Sequence, residues 1–150
     1  MKALVLMTCL SAIGFGAKPD PPRASLGPLP EKYEAPGKPG VAQAGVHRKI
    51  EPKLLKRGKW QESGWNLVLQ SPGAQGLRIH VTGMNLGTGK LIVRSANGEV
   101  QTFTGRGPHG DGEFWTGLVS GDCAMLVLEG VRKGALPFRI PELSHLWRLP

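Results

Sequence analysis

Cysteine is nearly missing from this chain. Cys9 and Cys123 are the only two in 150 residues, and Cys9 falls in a stretch laid out like an export leader. Removal of the leader would leave Cys123 alone, so the sequence predicts no intramolecular disulfide, and one cysteine cannot build a zinc site. Cys123 opens an apolar run and is expected to act as a small buried hydrophobe. Acidic residues are scarce too, 11 against 19 lysines and arginines. The imbalance is concentrated: residues 47–59 hold His47, Arg48, Lys49, Lys53, Lys56, Arg57 and Lys59 against Glu51 alone. Such a run can touch nucleic acid or anionic lipid. An exported chain meets little nucleic acid, so the run reads as a solvated spacer with no nucleic-acid partner. The leader's own apolar stretch is too short for a comfortable transmembrane helix, and no membrane anchor is expected.

What is abundant is glycine (22) and proline (13), which argues against a helical bundle and for turns and extended connections. Residues 1–17 supply Lys2 as a positive start, an apolar core from Ala3 to Ile13, and small residues Gly14, Gly16 and Ala17 near a cleavage point, the pattern of a secretory signal peptide. This predicts a secreted or periplasmic protein. Leu6-Met7-Thr8-Cys9 has the outline of a lipoprotein box, but the apolar core continues past the cysteine, against a lipid anchor. Residues 18–59 form a Pro-rich and then basic linker. Its first part is expected to be a disordered, extended arm of polyproline character, and residues 46–59 allow a helical turn or two around Pro52, Leu54 and Leu55.

The folded region is expected over 60–131, close to the smallest size at which one hydrophobic core sustains itself. Trp65–Gln70 and Leu77–Val81 alternate with period two, placing Leu77, Ile79 and Val81 inward and Arg78, His80 and Thr82 outward. Lys90–Ser95 and Glu99–Thr104 flank Ala96-Asn97-Gly98, where Asn-Gly predicts a type I′ hairpin turn. Gly105–Gly112, with four glycines, is the longest loop and requires unusual backbone conformations or close packing. Glu113–Val119 reads as a strand with Phe114 and Trp115 facing opposite sides. Ser120-Gly121-Asp122 makes a turn, and Cys123–Leu128, apolar on both faces, reads as a central strand covered on both sides. Six such strands without helical periodicity predict an all-β protein, a small antiparallel β-sandwich of jelly-roll type. Residues 132–150 form an apolar C-terminal segment whose prolines disfavour both helix and sheet interior. It is too apolar for a free tail and is expected to pack on the sandwich or on another domain.

Few constellations carry chemistry. Ser120-Gly121-Asp122-Cys123 lacks the surroundings of a serine nucleophile, and its turn explains Gly121 and Asp122. Asp111 and Glu113, with loop carbonyls, offer oxygen to Ca²⁺, but two carboxylates fall short of the six to eight ligands it takes; no cofactor or metal is expected otherwise. His80 reads as a strand-surface residue, while His47 and His145 have no ligand pattern beside them. Trp60, Trp65, Phe114 and Trp115 could form a platform for sugar rings, although so small a domain needs aromatics for its core.

Taken together, Trp65-x-Leu-x-Leu-x-Ser71-Pro72-Gly73-Ala74-x-x-Leu77-Arg78-x-His80, Phe103-Thr104-Gly105-x-Gly107, Gly112-Glu113-Phe114-Trp115-x-Gly117-x-x-x-Gly121-Asp122 and Pro137-Phe138-Arg139-Ile140-Pro141-Glu142-x-Ser144-His145 resemble the N-terminal β-sandwich region that precedes the catalytic domain in secreted bacterial trypsin-like and lysyl-endopeptidase-like serine proteases. The resemblance spans roughly residues 60–147 and carries no catalytic residue. It implies a non-catalytic accessory or pro-region domain that docks or positions a protease domain. The expected contacts are Arg106 and His109 of the glycine-rich loop and Phe138, Ile140, Leu143 and Trp147 of the apolar segment. The rival expectation is a secreted module that binds carbohydrate or a cell surface through Trp115 or Trp65.

Overall fold

The computed structural model describes residues 20–30 and 44–147. The leader, the middle of the Pro-rich arm and the last three residues lie outside this set. Among the described residues the chain runs β1 (Arg23–Ser25), β2 (Gly45–Lys49), α1 (Pro52–Leu55), β3 (Lys59–Gln61), β4 (Gly64–Gln70), β5 (Gly76–Thr82), β6 (Lys90–Ser95), β7 (Val100–Thr104), β8 (Phe114–Trp115), β9 (Val119–Ser120), β10 (Cys123–Glu129) and β11 (Arg139–Leu146). The protein is an all-β sandwich. Its first sheet has the order β1-β4-β10-β6-β7, with β3 also on β4; its second has the order β2-β11-β5-β8, with β9 also on β5. Every pairing is antiparallel except β1 with β4.

The alternation read from the sequence sets the inner faces. Trp65, Leu67 and Leu69 of β4, Leu77, Ile79 and Val81 of β5, Leu91 and Val93 of β6, and Leu126 and Leu128 of β10 form one buried cluster. Trp65 meets Phe138 edge to face at 5.8 Å between ring centroids, a favoured aromatic geometry. β10 lies between β4 and β6, as its doubly apolar pattern requires.

Three strands fall outside the expected domain limits. β1 and β2 lie in the stretch expected to be a disordered arm and linker. Ala24 of β1 enters the core, and β1 shares the edge of β4 end to end with β3. An edge position tolerates the prolines on its N-terminal side, because their missing N–H leaves no ladder bond unmade. β11 lies in the C-terminal segment and is an inner strand of the second sheet, between β2 and β5. Pro141 had argued against this, yet the register breaks between Arg139 and Glu142. That bulge places three residues where β5 advances by two and absorbs the proline.

Two local expectations also change. Glu113–Val119 is two short strands, β8 and β9, because Thr116 leaves the ladder: its hydroxyl accepts the Ile79 N–H and its own N–H reaches the Ile79 carbonyl. The turn after β6 is not type I′, since no non-glycine residue has positive φ among the described residues and only Gly98, at +89°, is left-handed there. Ser95 N–H bonds the Glu99 carbonyl across a three-residue loop, and Ser95 and Asn97 side chains bond one another. This is the three-residue hairpin with its glycine in the left-handed position.

Candidate functional site

The second sheet carries a polar and aromatic cluster on its outer face. Register places Trp115 opposite His80, and His80 opposite Glu142. Glu142 in turn stands opposite Lys49, two residues along β2 from His47. Four of the sheet's five strands, β2, β11, β5 and β8, contribute outward positions, so residues from 47 to 142 meet in one patch. His80 stacks on the Trp115 indole, centroids 4.6 Å apart and planes 7° apart, and the His47 ring lies 5.1 Å from the same indole, tilted by 40°. Glu113 Oε1 accepts from His80 Nε2 at 3.0 Å. Glu142 Oε1 lies 3.4 Å from His47 Nδ1 and 3.8 Å from His80 Nδ1. His80 Nδ1 is buried without a hydrogen-bond partner. A half-buried tryptophan flanked by imidazoles and carboxylates offers apolar area and charge at one place, the combination that anchors protein interfaces.

The Gly105–Gly112 loop leads directly into Glu113 of this patch. Its glycines 105, 107, 110 and 112 all have positive φ. A Cβ on Gly112 would come within 2.9 Å of the Met84 carbonyl oxygen, so the loop packs directly against the 83–86 turn. Met84 N–H bonds Gly112 O and Leu86 N–H bonds Gly105 O. Asp111 Oδ1 accepts the Glu113 N–H at 3.0 Å, which aims Glu113 at His80. The two carboxylates proposed for Ca²⁺ are thus engaged separately, one with backbone and one with imidazole. No group of three or more His, Cys, Asp or Glu among the described residues is arranged to hold a metal ion.

A second cluster lies between the sheets, buried at Ser71 and His145 and partly exposed at Arg48. Arg48 and His145 point inward from β2 and β11. Arg48 Nη1 donates to Gly27 O and to Ser71 Oγ, both at 2.9 Å, and Nη2 donates to Leu26 O at 3.0 Å. Ser71 Oγ and His145 Nδ1 are 2.6 Å apart. Ser71 Oγ is thus held between the Arg48 guanidinium and the His145 imidazole. Burial holds the His145 pKa below its ordinary 6.5, helped by the nearby Arg48 charge and opposed by Asp122. Asp122 accepts from Gln70 Nε2 at 3.2 Å. A hydroxyl, an imidazole and a carboxylate therefore do lie near one another, a grouping the sequence reading missed. Ser71 and His145 are buried, and a nucleophile needs a substrate carbonyl within reach. The cluster ties the 26–27 turn, β2, β11 and the 70–71 corner together.

The expected contact residues scatter. Phe138, Ile140 and Leu143 are in the core, a correction that follows from β11 being an inner strand. Trp147 is half-buried at its end, 6.4 Å from the His145 ring. Arg106 and His109 are exposed on the glycine loop. Trp65 is buried and unavailable for sugar stacking, whereas Trp115 faces outward. Cys123 is also corrected: it is disulfide-bonded rather than free, and the remaining cysteine, Cys9, lies outside the described residues. No helix among the described residues is long and apolar enough to cross a membrane. The fold and this patch define an all-β sandwich with a built outer face. No family model, curated protein or solved structure matches the chain, so the resemblance to protease-associated sandwiches enters below as a proposal.

Proposed function

We propose that this chain is a non-catalytic docking module of an exported protein, secreted or periplasmic, and that its partner is a protein, by resemblance a trypsin-like or lysyl-endopeptidase-like serine protease domain. The observation that carries the reading is the Trp115–His80–His47–Glu113–Glu142 patch, assembled from β2, β5, β8 and β11 of one sheet and from Glu113 at the end of the glycine-rich loop. Arg106 and His109 on that loop extend the contact surface. The burial of Ser71 and His145 supports a structural role for the hydroxyl–imidazole pair. The docking role expected of the C-terminal segment moves to this face, since β11 presents Glu142, not Ile140 or Leu143, to solvent.

The test is isothermal titration of the purified chain against a purified secreted lysyl-endopeptidase-like catalytic domain. Binding by the native chain that falls at least about tenfold with Trp115→Ala, a loss of about 1.4 kcal/mol, is expected. Absence of binding, or equal binding by Trp115→Ala, sinks the assignment. The carbohydrate reading survives through Trp115 alone, and His80 already covers one face of that indole. Retention of the chain on bacterial wall fragments or soluble glycans, abolished by Trp115→Ala, would favour it instead.

A further inference from the structure

A strand at the edge of a sheet leaves backbone groups unpaired, and natural edges are guarded by charge, proline, a bulge or short length. β7 ends the first sheet and, among the described residues, pairs with β6 alone. The other edge strands follow the rule. β1 carries Arg23, β3 carries Lys59, β2 carries His47, Arg48 and Lys49, and β8 and β9 have two residues each. β7 reads Val100-Gln101-Thr102-Phe103-Thr104, with no charge, no proline and an unbroken register. Val100 is 51 % exposed, the one exposed large hydrophobic side chain among the described residues. Thr102 and Thr104 are exposed beside it.

Register fixes which backbone groups are open. Ser95 N–H donates to Glu99 O, and the ladder continues through Val93 with Gln101 and Leu91 with Phe103. In an antiparallel ladder every second pair exchanges hydrogen bonds. Gln101 and Phe103 therefore direct their backbone groups to β6, while the N–H and C=O of Val100 and Thr102 point away from it. The strand is held from its inner side: Gln101 accepts the Gly117 N–H at 2.8 Å and donates to Leu118 O at 3.1 Å. Phe103 lies 4.5 Å from Phe114 between ring centroids. A fixed strand with open backbone groups is a template for strand addition. We infer that the free edge of β7 takes up an extended, acidic segment of a partner protein as one more strand of the first sheet. The charge around the edge selects that occupant over a second copy. Arg94 stands opposite Val100 and Lys90 opposite Thr104; Arg106 follows the strand, and all three are exposed. Lys90 is met by Glu129 at 3.5 Å, but among the described residues no carboxylate is within ion-pair distance of Arg94 or Arg106. Pairing β7 with a second β7 would bring two such basic flanks together in chains of formal charge +8 each, which opposes association. Acidic side chains on an added strand are attracted instead. Val68, Ile92, Met125 and Val127 point away from the second sheet, and Ile92 stands opposite Thr102, so β-branched residues in the middle of the added strand would extend that apolar outer face.

The experiment uses the full chain, labelled for NMR, and a capped peptide that alternates valine with threonine and carries a glutamate at each end. Amide exchange is followed with and without peptide. The Val100 and Thr102 amides are expected to exchange freely in the chain alone and to slow by about tenfold or more at saturating peptide. Gln101 and Phe103, already bonded to β6, should change little. No slowing at Val100 and Thr102 overturns the inference. So does protection before peptide is added, which would mean an edge already paired within the chain or with a second copy. The same peptide ending in lysines should bind at least about tenfold more weakly at low salt, and equal binding overturns the acidic partner. Two variants separate backbone from charge. Thr102→Pro removes an outward N–H, leaves the β6 ladder intact, and should weaken the peptide by about tenfold or more. Arg94→Glu leaves the backbone alone and should narrow the preference for glutamate ends over lysine ends. Native affinity in the first, or an unchanged preference in the second, overturns the inference. Neither readout involves Trp115 or a protease, so failure here is distinguishable from failure of the proposed function.

Discussion

The two outer faces of this sandwich are built on the same kind of inner face and differ in almost everything else. One sheet turns Val68, Ile92, Met125 and Val127 outward; the other turns His47, His80, Trp115 and Glu142 outward. Both alternate with period two, and both bury their inward residues in one core. The difference teaches that the core specifies the fold and leaves every second position free for a surface task. A polar and aromatic face presents charge and stacking area to a partner in water. An apolar face has nothing to gain from water and calls for a cover.

The comparison is broken most severely from inside. Leu126→Ala on β10, fully buried, is expected to cost about 2–5 kcal/mol in urea unfolding, whereas its outward neighbour Val127→Thr should cost far less. Equal losses would mean that the two faces of β10 are not distinct. Next is the cluster between the sheets. Ser71→Ala leaves His145 Nδ1 without its hydrogen-bond partner and removes one acceptor of Arg48, an expected loss of about 1–3 kcal/mol.

The same cluster sets a pH dependence. Because the folded state holds His145 below its ordinary 6.5, the unfolded chain takes up a proton first as pH falls. The stability contribution is complete above about 6.5 and is lost as pH falls below it, with a slope of at most about 1.4 kcal/mol per pH unit from this residue. His145→Asn, whose Oδ1 can accept the Ser71 hydroxyl, should flatten the acid limb measured as denaturant midpoint against pH. A slope unchanged by that substitution would assign the effect elsewhere.

Smaller effects belong to the open faces. Trp115→Ala should cost about 0.5–1.5 kcal/mol in lost stacking on His80, with its main effect on partner binding. Lys90→Met removes the exposed ion pair with Glu129, 3.5 Å apart, and should change stability by no more than about 1 kcal/mol. A large loss there would overturn the view that these edges are solvent-screened.

Much of the fold was legible in the residues. Period-two alternation placed β4 and β5, the Asn-Gly turn placed β6 and β7, and the doubly apolar run placed β10, each to within a residue or two; the glycine-rich loop, expected to need unusual conformations or close packing, has all four glycines at positive φ. What was illegible had physical causes. β1 and β2 are short edge strands whose sequences carry no alternation strong enough to read. β11 was obscured by Pro141, whose cost disappears only because a bulge is available. Of the candidate site, the outward direction of His80 and the opposite facing of Phe114 and Trp115 could be read. Their meeting with His47 and Glu142 could not, since it depends on strand order.

Residue order alone dictates sheets with one greasy side, because spacing within a strand fixes which side chains point together. Which strands become neighbours emerges from packing, and with it the meeting of Ser71 with His145 in the interior and of Trp115 with His80 at the surface. Register between distant segments is a property of packing, and local residue order does not encode it.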